Sequence, residues 1–150
     1  MSVPQWKKIA YFEKKRVIAK KSLEMEYNWS EKNILIAEDV DVNYRFLEKI
    51  LQDTGANIMR VMDGKEAVDF CKKHDEVDLV LMDIQMPGMD GFEASRAIKL
   101  IRSDLPIIAQ TAHAIEGGRE RGIESGCDEY IVKPININKL YATINKYFVQ

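Results

Sequence analysis

The chain has 150 residues, 46% of them hydrophobic and 31% charged, which suits one folded domain with a full core and a short appendage. No apolar run reaches membrane-spanning length, and the lysine-bearing N-terminus lacks the apolar stretch of a secretory signal, so a cytoplasmic location is expected. Charge divides the chain: residues 1–32 carry eight Lys/Arg against four Asp/Glu, and residues 33–150 carry fourteen against twenty. An acidic body argues against nucleic acid as a direct ligand, because phosphate contacts need clustered Lys/Arg.

Residues 1–32 fit no strand pattern. Trp6, Ile9, Ala10 and Val17 could stripe a short helix, but charged and apolar residues are poorly segregated. The segment is expected to be a helical extension, packed on the body or on a neighbouring chain, or a linker; poor amphipathicity argues against a membrane-surface helix. From Asn33 a different pattern begins. Asn33–Ala37 is an aliphatic run ended by Glu38 and Asp39, and a helical pattern follows over Val42–Thr54, with Gly55 as a stop. Ile58–Val61 is a second, weaker run, followed by a helical pattern over Lys65–His74 with Ala67, Val68 and Cys71 on one face. Leu79–Met82 is a third run, ended by Asp83, and Gly91–Ser103 is the next helical segment. Ile107–Ala109 is a fourth run, ended by Gln110 and Thr111. A helix over His113–Gly126 follows, weakened by four glycines, each interior one costing roughly 1 kcal/mol relative to Ala. Tyr130–Val132 is a fifth run, ended by Lys133 and Pro134, and Asn136–Phe148 closes the pattern, with Asn136 or Asn138 as cap.

Continuous apolar runs suit strands buried on both faces, hence a parallel sheet. Five strands alternating with five helices predict an α/β, (βα)5 doubly wound, flavodoxin-like fold of strand order 2-1-3-4-5 over residues 33–150. Sites in such sheets form at the carboxyl ends of the strands. Those ends carry Glu38, Asp39, Asp83, Thr111 and Lys133. Three converging carboxylates repel one another, and a divalent cation resolves the conflict; Mg²⁺ takes such oxygen ligands together with phosphate oxygens. Lys133 and Thr111 add the charge and the donor that stabilise a phosphoryl group in transfer, with Asp83 on the central strand as nucleophile. Cys71 and Cys127 lack metal-ligand spacing and read as reduced, partly buried thiols. His74 reads as a surface or capping residue, and Met82, Met86 and Met89 as packing.

The runs Ile34–Asp39, Leu79–Gly91, Ile107–Ala112 and Tyr130–Pro134 together resemble the response-regulator receiver domains of two-component signalling. The stretches around Thr111–Ala114 and Gly126–Tyr130 are most similar to receivers of hybrid sensor histidine kinases. The resemblance implies that Asp83 accepts a phosphoryl group from a histidine kinase or histidine phosphotransfer domain. It implies direct Mg²⁺ ligation by Asp39, Asp83 and the Gln85 backbone carbonyl, with Glu38 acting through water. It further implies phosphoryl contacts from Lys133 and Thr111 and a cis Lys133–Pro134 bond. Tyr130 would swing inward with Thr111 and alter the face formed by the glycine-rich helix, the fifth strand and the last helix. Gln85 and His113 flank the site and would tune phosphoryl lifetime. Homodimerisation through that face or the N-terminal extension is a further expectation. The competing reading is an Mg²⁺-dependent phosphohydrolase with an aspartyl-phosphate intermediate; such enzymes place a carboxylate two residues after the nucleophile, where this chain has Gln85, and use a cap insertion absent here. A non-phosphorylated interaction domain is a third reading, which the presence of both Asp83 and Lys133 disfavours. Histidine-kinase motifs are absent and no DNA-binding effector is expected after Gln150, so the chain reads as a stand-alone receiver or one piece of a hybrid sensor.

Overall fold

The computed structural model describes residues 2–112, 120 and 124–149, with backbone alone for 19–26. Helix α1 (Gln5–Glu26) precedes the sheet. Then follow β1 (Asn33–Ala37), α2 (Asp41–Gln52), β2 (Asn57–Val61), α3 (Gly64–Lys73), β3 (Leu79–Asp83), α4 (Gly91–Ile101), β4 (Ile107–Thr111), β5 (Glu129–Val132) and α5 (Ile137–Phe148). The expected helix over 113–126, and His113 with it, lies mostly outside the described residues.

All strand pairs are parallel and the order is β2-β1-β3-β4-β5, as the alternating pattern predicts. β3 and β4 are buried along their full length, which explains their lack of polar alternation. Successive side chains point to opposite faces, so the sheet divides its aliphatics between two cores. Leu35, Val80, Met82, Ile107 and Ala109 pack with Ala67, Val68 and Cys71 of α3 and Ala94 and Ile98 of α4. Ile34, Ile36, Leu81 and Ile108 pack with Leu47, Ile50 and Leu51 of α2 and Leu140, Tyr141 and Ile144 of α5.

Capping fixes three helix starts. Asp63, Asp90 and Asn136 each accept a hydrogen bond from the backbone N–H three residues on. α2 ends at Gln52 and the chain leaves it through a turn in which Thr54 Oγ1 donates to the Leu51 carbonyl and the Gly55 N–H to the Gln52 carbonyl, with Gly55, the expected stop, at a φ of +86°. Phe46 of α2 and Ile101 of α4 are substantially exposed, although both stand at apolar positions of their helical patterns.

Two features lie before β1. The described side chains of α1 are all exposed, including Trp6, Ile9, Phe12 and Val17. Trp29, by contrast, is 2% exposed and belongs to the α2/α5 core. Its ring meets Tyr27, Tyr141 and Phe148 with centroids 5.4–5.7 Å apart. Its indole N–H donates to Asn145 Oδ1 at 3.2 Å, and its backbone N–H donates to the Thr54 carbonyl at 2.8 Å. Packing of the α/β body therefore starts before Asn33. Cys71 and Cys127 are free and buried, and burial pushes the Cys71 thiol up to about 11, which makes it inert. His74 caps the end of α3 and stacks on Phe70.

Candidate functional site

The carboxyl ends of β1 and β3 are neighbours, with Ala37 opposite Met82. The next residues, Glu38 and Asp83, therefore emerge side by side on the α2/α5 face. Glu38, Asp39 and Asp83 each offer a carboxylate oxygen, all within 4.8 Å of one another. Glu38 is fully buried, and Asp83 is 4% exposed.

Each carboxylate is held differently. Glu38 Oε1 accepts from the Val40 backbone N–H and from Asn43 Nδ2, both at 3.2 Å. Glu38 Oε2 accepts from Lys133 Nζ at 3.2 Å. Asp83 Oδ1 accepts from the Gln85 backbone N–H at 3.1 Å, while Oδ2 lies 3.6 Å from Lys133 Nζ. Asp39 Oδ1 is buried and has no hydrogen-bond partner. A buried anionic oxygen without a donor is costly, and a hard divalent cation fits that vacancy in hydrogen bonding and that all-oxygen donor set. Lys133 alone does not balance three carboxylates. Burial and then the neighbouring Glu38 push the Asp83 carboxyl up to about 6, against the pull of Lys133 and the Gln85 N–H.

The backbone presses closely on this strand end. A Cβ on Gly91 would lie 2.3 Å from the Asp83 carbonyl oxygen and 2.8 Å from Ile84 Cα, so α4 can begin against β3 only with glycine there. The Gly91 N–H donates to the Ile84 carbonyl at 3.1 Å and anchors that approach.

The other anticipated residues lie around the cluster. Thr111 is buried at the end of β4, one residue beyond Gln110, which is the register partner of Asp83. Tyr130 is half-buried on β5 and packs against the α3/α4 core. The Gln85 side chain is exposed. The Lys133–Pro134 peptide is cis. His113 lies outside the described residues. Sequence reasoning missed Asn43, whose signal was its place in the first turn of α2 directly after the acid pair. It also missed Arg60, which carried no local signal.

Comparison with known proteins accords with this geometry. Residues 34–145 match the model of the response regulator receiver domain. The chain is 43% identical over 120 residues to hybrid signal transduction histidine kinase I of Dictyostelium discoideum, covering 75% of this chain but only 7% of that kinase. It is 36% identical over 118 residues to the polar-differentiation response regulator DivK of Brucella ovis, covering 77% of this chain and 95% of DivK. Among solved structures, the receiver domain of a sensor histidine kinase from Pseudomonas aeruginosa, with a magnesium ion in its active-site cleft, superposes with a TM-score of 0.73 at 32% identity. That match covers 79% of this chain and 98% of the other. A Saccharomyces cerevisiae complex of the histidine phosphotransfer protein Ypd1 with the receiver domain of Ssk1 matches with a TM-score of 0.72 at 27% identity, over 78% of this chain and 88% of that one. Among the described residues no helix is long and apolar enough to cross a membrane. The fold, the acid cluster with its lysine, and these matches agree: the chain belongs to the response-regulator receiver family.

Proposed function

We propose that Asp83 is the phosphoacceptor of this receiver. The observation that carries this is the pairing of Asp83 with Lys133 beside a carboxylate cluster that holds one buried oxygen without a donor. A carboxylate oxygen of Asp83 attacks the phosphorus of a phosphohistidine on a partner. The new O–P bond forms as the N–P bond breaks, and its electron pair returns to the imidazole. Asp83 remains mainly ionised, and so nucleophilic, at neutral pH despite its raised pKa. Lys133 pairs with the incoming phosphoryl oxygens. Glu38, tethered by Val40 and Asn43, holds Lys133 in place meanwhile.

Mg²⁺ is the cofactor that the donor set favours: Asp39, Asp83 and the Gln85 carbonyl would hold it, with Glu38 assisting, and when bound it would neutralise charge on the phosphoryl oxygens. Thr111 then bonds the phosphoryl group, and Tyr130 moves with it. The partner is a histidine kinase or a phosphotransfer domain. A cleft of about 330 Å³ supports such docking: it lies next to Lys133 and is walled by Val42, Phe46, Pro134 and Ile135. Val42 and Phe46 are 77% and 44% exposed, an apolar rim suited to a partner helix. The receiver unit starts near Tyr27, and α1 lies outside it. The domain acts as a signalling module, either alone or within a longer hybrid kinase.

A small phosphodonor with Mg²⁺ is expected to add one phosphoryl group to the wild type, read by intact mass, and none to Asp83→Asn. An equal adduct on both chains, or none on the wild type, would sink the assignment. Repeated turnover of a phosphoester would favour a phosphohydrolase instead.

A further inference from the structure

Arg60 lies on the edge strand β2, opposite Ile36 of β1, and points to the α2 side of the sheet. Its side chain is 22% exposed and makes three contacts at once. Nε donates to the Glu38 backbone carbonyl at 3.1 Å. The guanidinium lies 2.8 Å from Asp41 Oδ1, an ion pair without hydrogen-bond alignment. Its Cζ sits over the Tyr44 ring, 4.3 Å from the centroid. The first two contacts grip residues 38 and 41, on either side of Asp39. The third ties the same guanidinium to the first turns of α2.

We propose that Arg60 is a positioning residue for the divalent-cation site. It clamps the β1–α2 turn so that the Asp39 carboxylate is held close to those of Glu38 and Asp83. The N-cap residue of α2, Val40, has no side chain able to accept a hydrogen bond, so the turn's other side-chain ties run through the Glu38 carboxylate, to the Val40 N–H and Asn43, and Arg60 adds the grip on the Glu38 carbonyl and on Asp41. Arg60 also pairs with the Asp41 carboxylate in the first turn of α2. A lysine replaces this clamp only in part: its ammonium lacks the planar fork that reaches two oxygens while lying over a ring.

The sign of the effect separates this role from simple electrostatics. Arg60 is a cation beside a cation site, so deleting its charge by Coulomb's law alone tightens Mg²⁺ binding. Loss of the clamp weakens it. Outer-shell partners of metal ligands typically contribute 10–100-fold in affinity.

The proposal rests on the cation site described above, and the test distinguishes the two. Mg²⁺ is titrated calorimetrically into the full chain as wild type, Arg60→Ala and Arg60→Lys, with thermal unfolding of each metal-free chain as the control for folding. About 10-fold weaker binding is expected for Arg60→Ala, with a smaller loss in the same direction for the charge-preserving Arg60→Lys. Hydrogen exchange at residues 38–41 is expected to quicken in both, while β3 amides stay protected. Unchanged or tighter binding in both variants overturns the clamp and leaves the cation site standing. Absence of binding to the wild type overturns the cation site itself. Should the alanine variant fail to fold, the lysine variant decides, since it removes no charge.

Discussion

Replacing the proposed phosphoacceptor should make the metal-free protein more stable. Asp83 is buried next to Glu38, and its carboxyl is raised to about 6 from an ordinary 3.8. The native state therefore holds that proton more tightly than the unfolded chain does. Stability contributed by this group is intact below about pH 4, falls as pH rises through the window from 3.8 to about 6, and stays lost above it. A shift of roughly two units is worth about 3 kcal/mol at 1.36 kcal/mol per unit. Asp83→Asn keeps the acceptor for the Gln85 N–H and removes the charge. In EDTA at pH 7.5 the variant should gain about 1–3 kcal/mol: the upper end is the net linkage value, which already includes the attraction to Lys133, and the lower end allows for the amide N–H₂ facing Lys133 without an acceptor. For a chain of this size that is about 3–10 °C in Tm. The linkage integral roughly halves the gap, to about 0.5–1.5 kcal/mol, at pH 5. Saturating Mg²⁺ should stabilise the wild type more than the variant and narrow the gap again. Urea denaturation at pH 5 and 7.5, with EDTA or Mg²⁺, checks each arm. A variant no more stable than wild type at pH 7.5 in EDTA, or a gap independent of pH, would refute the reasoning.

Two further predictions concern the frame of the site. Trp29→Ala should cost about 3–5 kcal/mol in urea denaturation, as for other buried aromatics, although Trp29 lies outside the sheet pattern. A chain begun at Asn33 should show a similar loss, and a chain begun at Tyr27 should not. Gly91→Ala should cost about 1–3 kcal/mol through forced overpacking against the Asp83 carbonyl and Ile84, and should slow phosphorylation of Asp83 by small donors. Stopped-flow mixing with a phosphodonor checks the rate, and an unaltered rate with unaltered stability would show that α4 is not seated on β3 as described.

The carboxyl-end cluster was legible because its parts are local signals. Each apolar run ends at a change of residue type, and strand geometry sends those ends to one edge of the sheet. Glu38, Asp39, Asp83 and Lys133 could thus be grouped before any contact was known. Helix faces were legible for the same reason: Ala67, Val68 and Cys71, or Leu140, Tyr141 and Ile144, repeat at the period of one helix.

Tertiary structure alone decided the rest. Trp29 sits in a charged stretch with no period of its own, and its burial depends on Tyr141, Asn145 and Phe148 more than a hundred residues away. Nothing local distinguishes a Trp with such partners from Trp6, which lies exposed on α1. Arg60 reads as one polar residue in a weak strand, because its role depends on an edge position and on Glu38, Asp41 and Tyr44 from other elements. The amino-acid sequence by itself determined which elements form and which chemistry their ends carry, since both follow from short-range periodicity and residue type. The partners that hold those ends in place were decided only by the folded chain, because they meet through contacts that no local spacing encodes.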